Sequence, residues 1–267
     1  MNQLALLSVF CLLWACKSGG KQQALEAQLP VQLPIIVTMS DPTAKNDTVE
    51  VASTLTDSTY ILNVGIYHSN EVDQTAIQRD WFGLFKRGES YYLDHCALRV
   101  KRVDDPVGAD GLAWDISVSN KDSSVLLINP PTFLKPNAVP HIELSKRHLA
   151  PGDSLRFVFG STDYTLFATG TLVGEGDDKY EQDYRLYLSA ANNGHHVTQL
   201  LEQKQQSDGD TQTTILFVGD IDGDDKLDFL INTTAHYNAF VPTLFLSKPA
   251  LKNNLVKLVG KHISVGC

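Results

Sequence analysis

Five aspartates fall within nine residues near the C-terminal end of the 267-residue chain. Four of them occupy relative positions 1, 3, 5 and 9 of a short segment: Asp220, Asp222, Asp224 and Asp228. If the chain curls tightly, these carboxylates converge on one point, and the backbone carbonyl of Lys226 at position 7 can join them. Hard oxygen ligands at this spacing suit Ca²⁺, which accepts about 6 to 8 of them. The segment therefore predicts a calcium site.

The residues that flank this segment indicate what positions it. Thr214 to Val218 and Phe229 to Thr233 are rich in β-branched and apolar residues, which favours two strands joined by the acidic loop. An EF-hand would instead need helices on both sides and a glutamate at position 12, where this chain has Ile231. The alternative interpretation is a solvated acidic turn, although such a turn has no need of alternating carboxylates around Gly223.

The segment resembles the calcium loop of FG-GAP or VCBS-type β-repeats, in which strand, Asp-x-Asp-x-Asp-x-x-x-Asp and strand form the unit. The resemblance covers Thr214 to Ser247 in a single copy, so a complete propeller of such repeats is not predicted. It implies the four aspartates named above as side-chain ligands and Lys226 as the carbonyl ligand. Asp225 stands where the family has glycine, and Asp visits the left-handed backbone region more readily than most residues do.

The N-terminal residues predict an export signal. Leu4 to Trp14 is almost wholly apolar and would span roughly 16 Å as a helix, short of the roughly 30 Å of a bilayer core. Leu13-Trp14-Ala15-Cys16 resembles the bacterial lipoprotein box, which implies that Cys16 carries fatty acyl chains such as palmitate. Trp14 is bulky for that box, and Met1-Asn2-Gln3 lacks Lys and Arg. The alternative is a secretory signal from which Cys16 is discarded.

Two cysteines remain once Cys11 is removed with the signal and Cys16 is acylated. An exported chain meets an oxidising compartment, so Cys96 and Cys267 are predicted to form a disulfide, worth about 5 kcal/mol at most in the chain-entropy account. The alternative makes Cys96 a nucleophile beside Asp94-His95. Adjacent side chains of a strand point to opposite faces, however, so His95 would be poorly placed to activate it.

The rest of the chain predicts strands, because short runs of β-branched and aromatic residues alternate with turn residues. The runs after the tether are Gln32 to Met39, Thr48 to Tyr67, Trp81 to Lys86, Ser90 to Val100, Leu112 to Ser119, Ser124 to Ile128, His141 to Leu149 and Ser154 to Gly160. The third and fourth runs are predicted to form one hairpin, and the fifth and sixth a second pair. The proline-rich residues 129–140 predict a surface loop.

No window of eleven or more residues in the mature chain has a convincing helical period, so the sequence predicts an all-β protein with antiparallel, sandwich-like sheets and the aspartate loop in a C-terminal β-hairpin. Four segments are expected: a lipoprotein signal peptide at 1–15, a flexible tether at 16–30, a β-sandwich-like region at 31–160 and a β-rich region with the calcium loop at 161–267. Three similar aromatic runs are predicted to be successive strands of one sheet: Tyr164 to Ala168, Tyr184 to Ser189 and Thr243 to Ser247.

The formal net charge is −9 and no basic block occurs, which argues against a nucleic-acid partner. Two acidic motifs, Gly174 to Asp178 and Ser207 to Asp210, are predicted to be solvated turns. His195-His196 lies in another predicted turn and lacks a third metal ligand, and His236 is predicted to lie in a packed or exposed turn. No hydrolase, metalloprotease, phosphate-loop or dinucleotide signature occurs.

These features predict a protein attached through its lipid to the membrane of the bacterial cell envelope, at the outer membrane, with the periplasmic or surface face left open. Its calcium ion would be structural, and its body would be a non-enzymatic binding or interaction module for a protein or glycan partner. The alternative is a hydrolase acting on envelope or extracellular glycans, with Trp81 and Trp114 as a platform for sugars, although tryptophans at strand spacing are also typical core residues.

Overall fold

The computed structural model describes residues 59–75, 78–108, 110–176, 179–207 and 211–266, which all belong to one compact unit. The predicted signal peptide, the tether with Cys16, and the strand predicted at Gln32 to Met39 lie outside the described residues. These parts of the sequence analysis stay predictions. Within the described residues, no helix is long and apolar enough to cross a membrane.

The described residues form strands and no α-helix, as predicted. The strands of the first half are β1 (Ile61–Leu62), β2 (Gly65–His68), β3 (Trp81–Arg87), β4 (Ser90–Cys96), β5 (Leu98–Asp104), β6 (Leu112–Val118), β7 (Ser123–Ile128), β8 (Asn137–Val139) and β9 (Ser154–Phe159). Those of the second half are β10 (Thr162–Val173), β11 (Tyr180–Asn192), β12 (His195–Gln206), β13 (Thr214–Gly219), β14 (Asp228–Asn232), β15 (Ala239–Phe240), β16 (Pro242–Leu246), β17 (Lys257–Lys261) and β18 (Ser264–Val265).

These strands make five antiparallel sheets, with orders β1-β7-β3-β4-β8, β12-β11-β10-β9, β13-β14-β16-β17, β15-β18 and β2-β6-β5. In the sheets β12-β11-β10-β9 and β13-β14-β16-β17, paired strands lie close to one another in the chain. In the other two larger sheets they do not, because β7 returns beside β3 after β5 and β6, and β2 pairs with β6 across β3, β4 and β5.

The sheet β13-β14-β16-β17 is buried on both faces. Alternate residues of β14 point to opposite sides, so Phe229 and Ile231 pack on the long sheet β9–β12 and Leu230 packs on the five-stranded sheet. The second face of the five-stranded sheet carries Trp81 and packs on the sheet β2-β6-β5. The four sheets are therefore stacked in series, and the layer that carries the aspartate loop lies inside the stack.

Several predicted strands are confirmed, but some pairings are wrong. The hairpin of β3 and β4 forms as expected, yet the predicted strand Ser90 to Val100 ends at Cys96, and the chain continues as β5 in another sheet. The strands β6 and β7 exist but do not pair, because β6 lies between β2 and β5 while β7 pairs with β3. Of the three aromatic runs, those in β10 and β11 are neighbours, and the one in β16 belongs to a different sheet.

The strand predicted at His141 to Leu149 is wrong. This segment follows the edge of β13 but bonds to it only at separated points: the Ile142 N–H donates to the Val218 carbonyl (3.0 Å), and the Ile215 N–H donates to the Arg147 carbonyl (2.7 Å). His141 makes an isolated bridge to Gly219. The side-chain pattern of a strand is present there, but the ladder is not continuous.

Candidate metal centre

The aspartate loop connects β13 to β14, which pair as a hairpin that closes with Gly219 opposite Asp228. Two residues of the loop have left-handed backbone conformations, Gly223 with φ of 71° and Asp225 with φ of 62°. Glycine adopts this region at little cost, and Asp is among the few other residues that enter it readily. The expectation that Asp225 takes the left-handed role of a glycine is confirmed, and the tight curl of the loop results from these two positions.

Asp220, the first aspartate of the loop, organises the turn around its own carboxylate. Its Oδ1 accepts the backbone N–H groups of Gly223 (2.7 Å) and Asp224 (3.0 Å), and its Oδ2 accepts that of Asp225 (2.9 Å). The residue is 4% exposed. Three N–H groups of successive residues thus converge on this carboxylate, which curls the backbone around one end of the loop.

Asp222 lies in the middle of the loop and is 5% exposed. Its Oδ2 accepts the backbone N–H of Lys248 (3.0 Å), but its Oδ1 is buried and has no hydrogen-bond partner. Burial, opposed in part by that N–H and reinforced by the charges of Asp224 and Asp220, raises the pKa of Asp222 to about 6. A buried carboxylate oxygen without a donor is costly, and it is the kind of atom that a cation would satisfy.

Asp224 is held between its own loop and the turn after β16. Its Oδ1 accepts the Lys226 N–H (3.0 Å) and the Ser247 hydroxyl (2.8 Å). The Lys226 ammonium lies 3.1 Å from Oδ2, so this lysine supplies a positive charge to the group from within the loop. The side chain of Lys226 is 62% exposed, which leaves it able to move away from Asp224.

Asp228, the last aspartate of the motif, is fully buried at the start of β14. Its Oδ2 accepts the N–H groups of Ile221 (2.7 Å) and Asp222 (3.0 Å), and its Oδ1 accepts that of Ser247 (2.7 Å). Burial raises the pKa of Asp228 well above its usual range, and the charge of Asp222 adds to this effect. The carboxylate thus ties both ends of the loop to the turn after β16.

The structure brings together Asp220, Asp222 and Asp224, whose carboxylate oxygens lie within 4.8 Å of one another. This arrangement could hold a metal ion. Asp228 is not part of this group of three, and its assignment as a ligand, like that of the Lys226 carbonyl, stays a prediction. The donor set contains only oxygen, which fits a hard cation.

The sequence analysis missed the contribution of Ser247 and Lys248. These residues follow β16, and they donate hydrogen bonds to the carboxylates of Asp222, Asp224 and Asp228 from about twenty residues further along the chain. The Lys248 ammonium also donates to the backbone carbonyl of Asp222 (3.2 Å). No local spacing could indicate this, because the contact depends on β16 pairing with β14.

A second polar region lies beside the sheet β2-β6-β5. His68 Nδ1 is 2.5 Å from Asp105 Oδ2, and Asp105 Oδ1 accepts the N–H groups of Val107 and Gly108. Hydrogen bonding to Asp105 raises the pKa of His68, and the same bond lowers the pKa of Asp105. His68 lines an open cleft of about 570 Å³ together with Asp110. No sequence motif pointed to this pair, which comes from residues 37 positions apart.

Cys96 is a free, half-buried thiol at the end of β4. Burial raises its pKa to about 11, so the thiol stays protonated at neutral pH. The ring of His95 packs against that of Phe82 at a tilt of 35°, with 4.2 Å between ring centroids, on the face opposite to that of Cys96. The nucleophile alternative is therefore not supported. Cys267 lies outside the described residues, so the disulfide with Cys96 stays a prediction.

The weaker motifs acquire no chemistry in the described part of the chain. His196 makes a hydrogen bond with Ser189 (2.8 Å), and neither it nor His195 belongs to a metal-binding group there. The ring of His236 stacks on that of Tyr237. Comparison of the chain with protein-family models, with curated proteins and with solved structures found no match.

Proposed function

We propose that this protein is a lipid-anchored component of the bacterial cell envelope, in which a structural calcium ion stabilises a non-enzymatic binding module. The observation that carries the proposal is the convergence of Asp220, Asp222 and Asp224 around a buried oxygen, Asp222 Oδ1, that has no donor. The lipid anchor is proposed from Cys16 and the residues that precede it.

Calcium fits this site for two reasons. Carboxylate oxygens are its preferred ligands, and its variable coordination number allows water to complete a partly filled site. The loop also concentrates negative charge that the fold compensates only in part, through the Lys226 ammonium beside Asp224 and the Lys248 ammonium at the Asp222 carbonyl. A divalent cation would offset the mutual repulsion of these carboxylates and supply the missing partner of Asp222.

A structural role fits the position of the site. The aspartates belong to the hairpin of β13 and β14, and their carboxylates accept hydrogen bonds from Ser247 and Lys248 after β16. An ion bound there would hold together strands of the sheet that is buried on both faces. It would bind the folded loop and not the unfolded chain, so stability would increase with the free calcium concentration.

The test is thermal unfolding of the purified protein in excess EGTA and at increasing free Ca²⁺. We expect the melting temperature to rise with Ca²⁺ and to respond less to Mg²⁺ at the same concentration, because Mg²⁺ demands a more regular octahedral shell. Melting that is indifferent to the chelator would contradict the calcium proposal.

The lipid anchor is tested separately by mass spectrometry of protein taken from bacterial membranes. We expect an N-terminus at Cys16 carrying acyl chains, and we expect Cys16→Ser to release the protein from the membrane fraction. A mature N-terminus downstream of Cys16 would contradict the anchor and support the secretory alternative.

A glycan-acting hydrolase is the second candidate, and the cleft beside His68 and Asp105 favours it, because a histidine oriented by a buried carboxylate can act as a general base. The predicted sugar platform is wrong for Trp81, which is 1% exposed and packs in the core. Release of reducing ends from envelope polysaccharides by the wild-type protein, and its loss in His68→Ala, would support the hydrolase.

A further inference from the structure

The strand β5 lies at the outer edge of the sheet β2-β6-β5. It pairs with β6 along its whole length, from Leu98 opposite Val118 to Asp104 opposite Leu112. No other strand of the described residues pairs with its second edge. Every second residue of β5 therefore directs its backbone N–H and carbonyl away from the sheet, where an extended chain could bond to them.

The side chains of β5 make this edge positive in a chain whose formal net charge is −9. Arg99, Lys101 and Arg102 are all exposed, and the only acidic residue of the strand is Asp104 at its end. None of the three cations forms an ion pair with a described residue. Asp115 of β6 lies opposite Lys101 and offsets part of its charge, whereas Arg99 and Arg102 have no acidic residue opposite them and can attract a group that approaches the edge.

Positive charge on an edge strand commonly prevents two copies of a protein from pairing there. This explanation applies to β5, because antiparallel pairing of two β5 strands would bring cations of both copies close together, and like charges opposite one another are unfavourable. The same charges would attract a strand of the opposite sign. The edge thus discriminates between partners, and does not simply repel them.

The two faces of β5 differ, which defines a pattern for the incoming strand. Arg99 and Lys101 point to the outer face, while Leu98 and Val100 point inward and pack at the margin of the core cluster that contains Trp81. By the same alternation Arg102 lies on the face of Leu98 and Val100, where it is exposed. Leu98 and Val100 are only partly buried. A strand beside β5 would cover them if every second residue were apolar, and the intervening residues would meet Arg99 and Lys101.

We propose that the edge of β5 binds an extended, acidic segment of a partner protein, with alternating acidic and apolar residues, as a fourth strand of the sheet. This inference rests on the proposed role as a binding module, but it requires no metal ion. The backbone of β5 supplies the hydrogen bonds and the cations select the sign of the partner.

The probe is an acetylated, fluorescein-labelled octapeptide of alternating Glu and Val, titrated with the full chain and followed by fluorescence anisotropy. We expect saturable binding that weakens as salt increases. Arg99→Glu combined with Lys101→Glu should weaken it at least tenfold. The matched control reverses two exposed lysines elsewhere, Lys121→Glu with Lys252→Glu, and should change the affinity less than twofold.

A second peptide with the same sequence and charge carries N-methyl groups on every other amide. Because it cannot donate along one edge, we expect at least a tenfold loss of affinity. Equal binding of both peptides would overturn strand addition and leave only charge attraction. Equal binding by the β5 and control variants, no binding by the wild type, or a concentration-dependent dimer that involves β5 would also overturn the proposal.

These outcomes are distinct from those that test calcium. Melting that responds to Ca²⁺, together with a peptide that fails to bind, leaves the calcium proposal in place and refutes the role of β5. Peptide binding by a protein whose melting temperature does not respond to the chelator would leave the role of β5 in place and refute the calcium proposal.

Discussion

Asp222→Asn should stabilise the protein when calcium is absent, although it removes a proposed ligand. Asparagine has nearly the same shape and keeps an oxygen for the N–H of Lys248. In the folded protein the pKa of Asp222 is raised from 3.8 to about 6, so at pH 7.4 the carboxylate is ionised in both states and folding bears the full cost of burying the charge. At about 1.4 kcal/mol per pKa unit, that cost is about 3 kcal/mol.

Calcium should remove most of the difference in unfolding free energy between Asp222→Asn and the wild type. At a free Ca²⁺ concentration of about 100 times the wild-type dissociation constant, binding adds about 2.7 kcal/mol to the stability of the wild type. If the substitution weakens binding about a hundredfold, the same Ca²⁺ adds only about 0.4 kcal/mol to the variant. The difference of about 3 kcal/mol measured in chelator should therefore fall below about 1 kcal/mol in calcium.

The assay is urea unfolding at pH 7.4, with EGTA in one series and Ca²⁺ in the other. Asp225→Asn is the matched control, because it removes one charge from the same loop at an exposed position and asparagine also tolerates the left-handed backbone. We expect the control to stay within about 0.5 kcal/mol of the wild type in chelator. The reasoning is refuted if Asp222→Asn is destabilised in EGTA, or if it gains as much from Ca²⁺ as the wild type does.

Three further results are expected. Lys226→Met should raise the affinity for Ca²⁺ about two- to fivefold in calorimetry, because it removes the exposed ammonium that contacts Asp224 and opposes the charge of the ion; unchanged or weaker binding would contradict this. Asp105→Asn should lower the pKa of His68 toward about 6.5, measured by NMR titration, because the negatively charged acceptor that favours the imidazolium is replaced by a neutral amide; a pKa that stays raised would show that the Asp105 charge is not its cause. In the wild type, the stability from this pair should be lost as pH rises through the raised pKa of His68. Leu230→Ala should cost about 2 to 5 kcal/mol in urea unfolding, since this side chain is fully buried between two sheets; a loss below about 1 kcal/mol would mean that the neighbouring layers close the cavity.

The hairpin of β13 and β14 was predictable because everything that defines it is local. Two short apolar runs flank a segment of aspartates and glycines, and the spacing of the carboxylates alone indicates a curled loop. The left-handed conformation of Asp225 was implied by the resemblance to the β-repeat family, which has glycine at this position. The all-β class followed similarly from alternating residues and the lack of a helical period.

The order of the strands within the sheets was harder to predict from the sequence. Leu112 to Ser119 and Ser124 to Ile128 look like a hairpin because they are close in the chain, yet β6 and β7 belong to different sheets. Alternation shows which residues of a strand are buried, but not which strand lies beside it. The hydrogen bonds from Ser247 and Lys248 to the loop, and the pairing of His68 with Asp105, could not be predicted because each depends on which strands are neighbours.

The burial of β14 on both faces has a consequence for how the strand finds its alignment. A strand with one solvent-exposed face is aligned by its alternation of polar and apolar residues. Phe229, Leu230 and Ile231 are all apolar, so either of their faces could pack on either neighbouring layer after a slip of one residue. Asp228 removes this ambiguity. Its carboxyl group is satisfied only when Ile221, Asp222 and Ser247 present their N–H groups together, and a slipped strand would leave a buried polar group without donors. The same residue that ends the acidic motif therefore fixes the register of the innermost sheet while the chain folds.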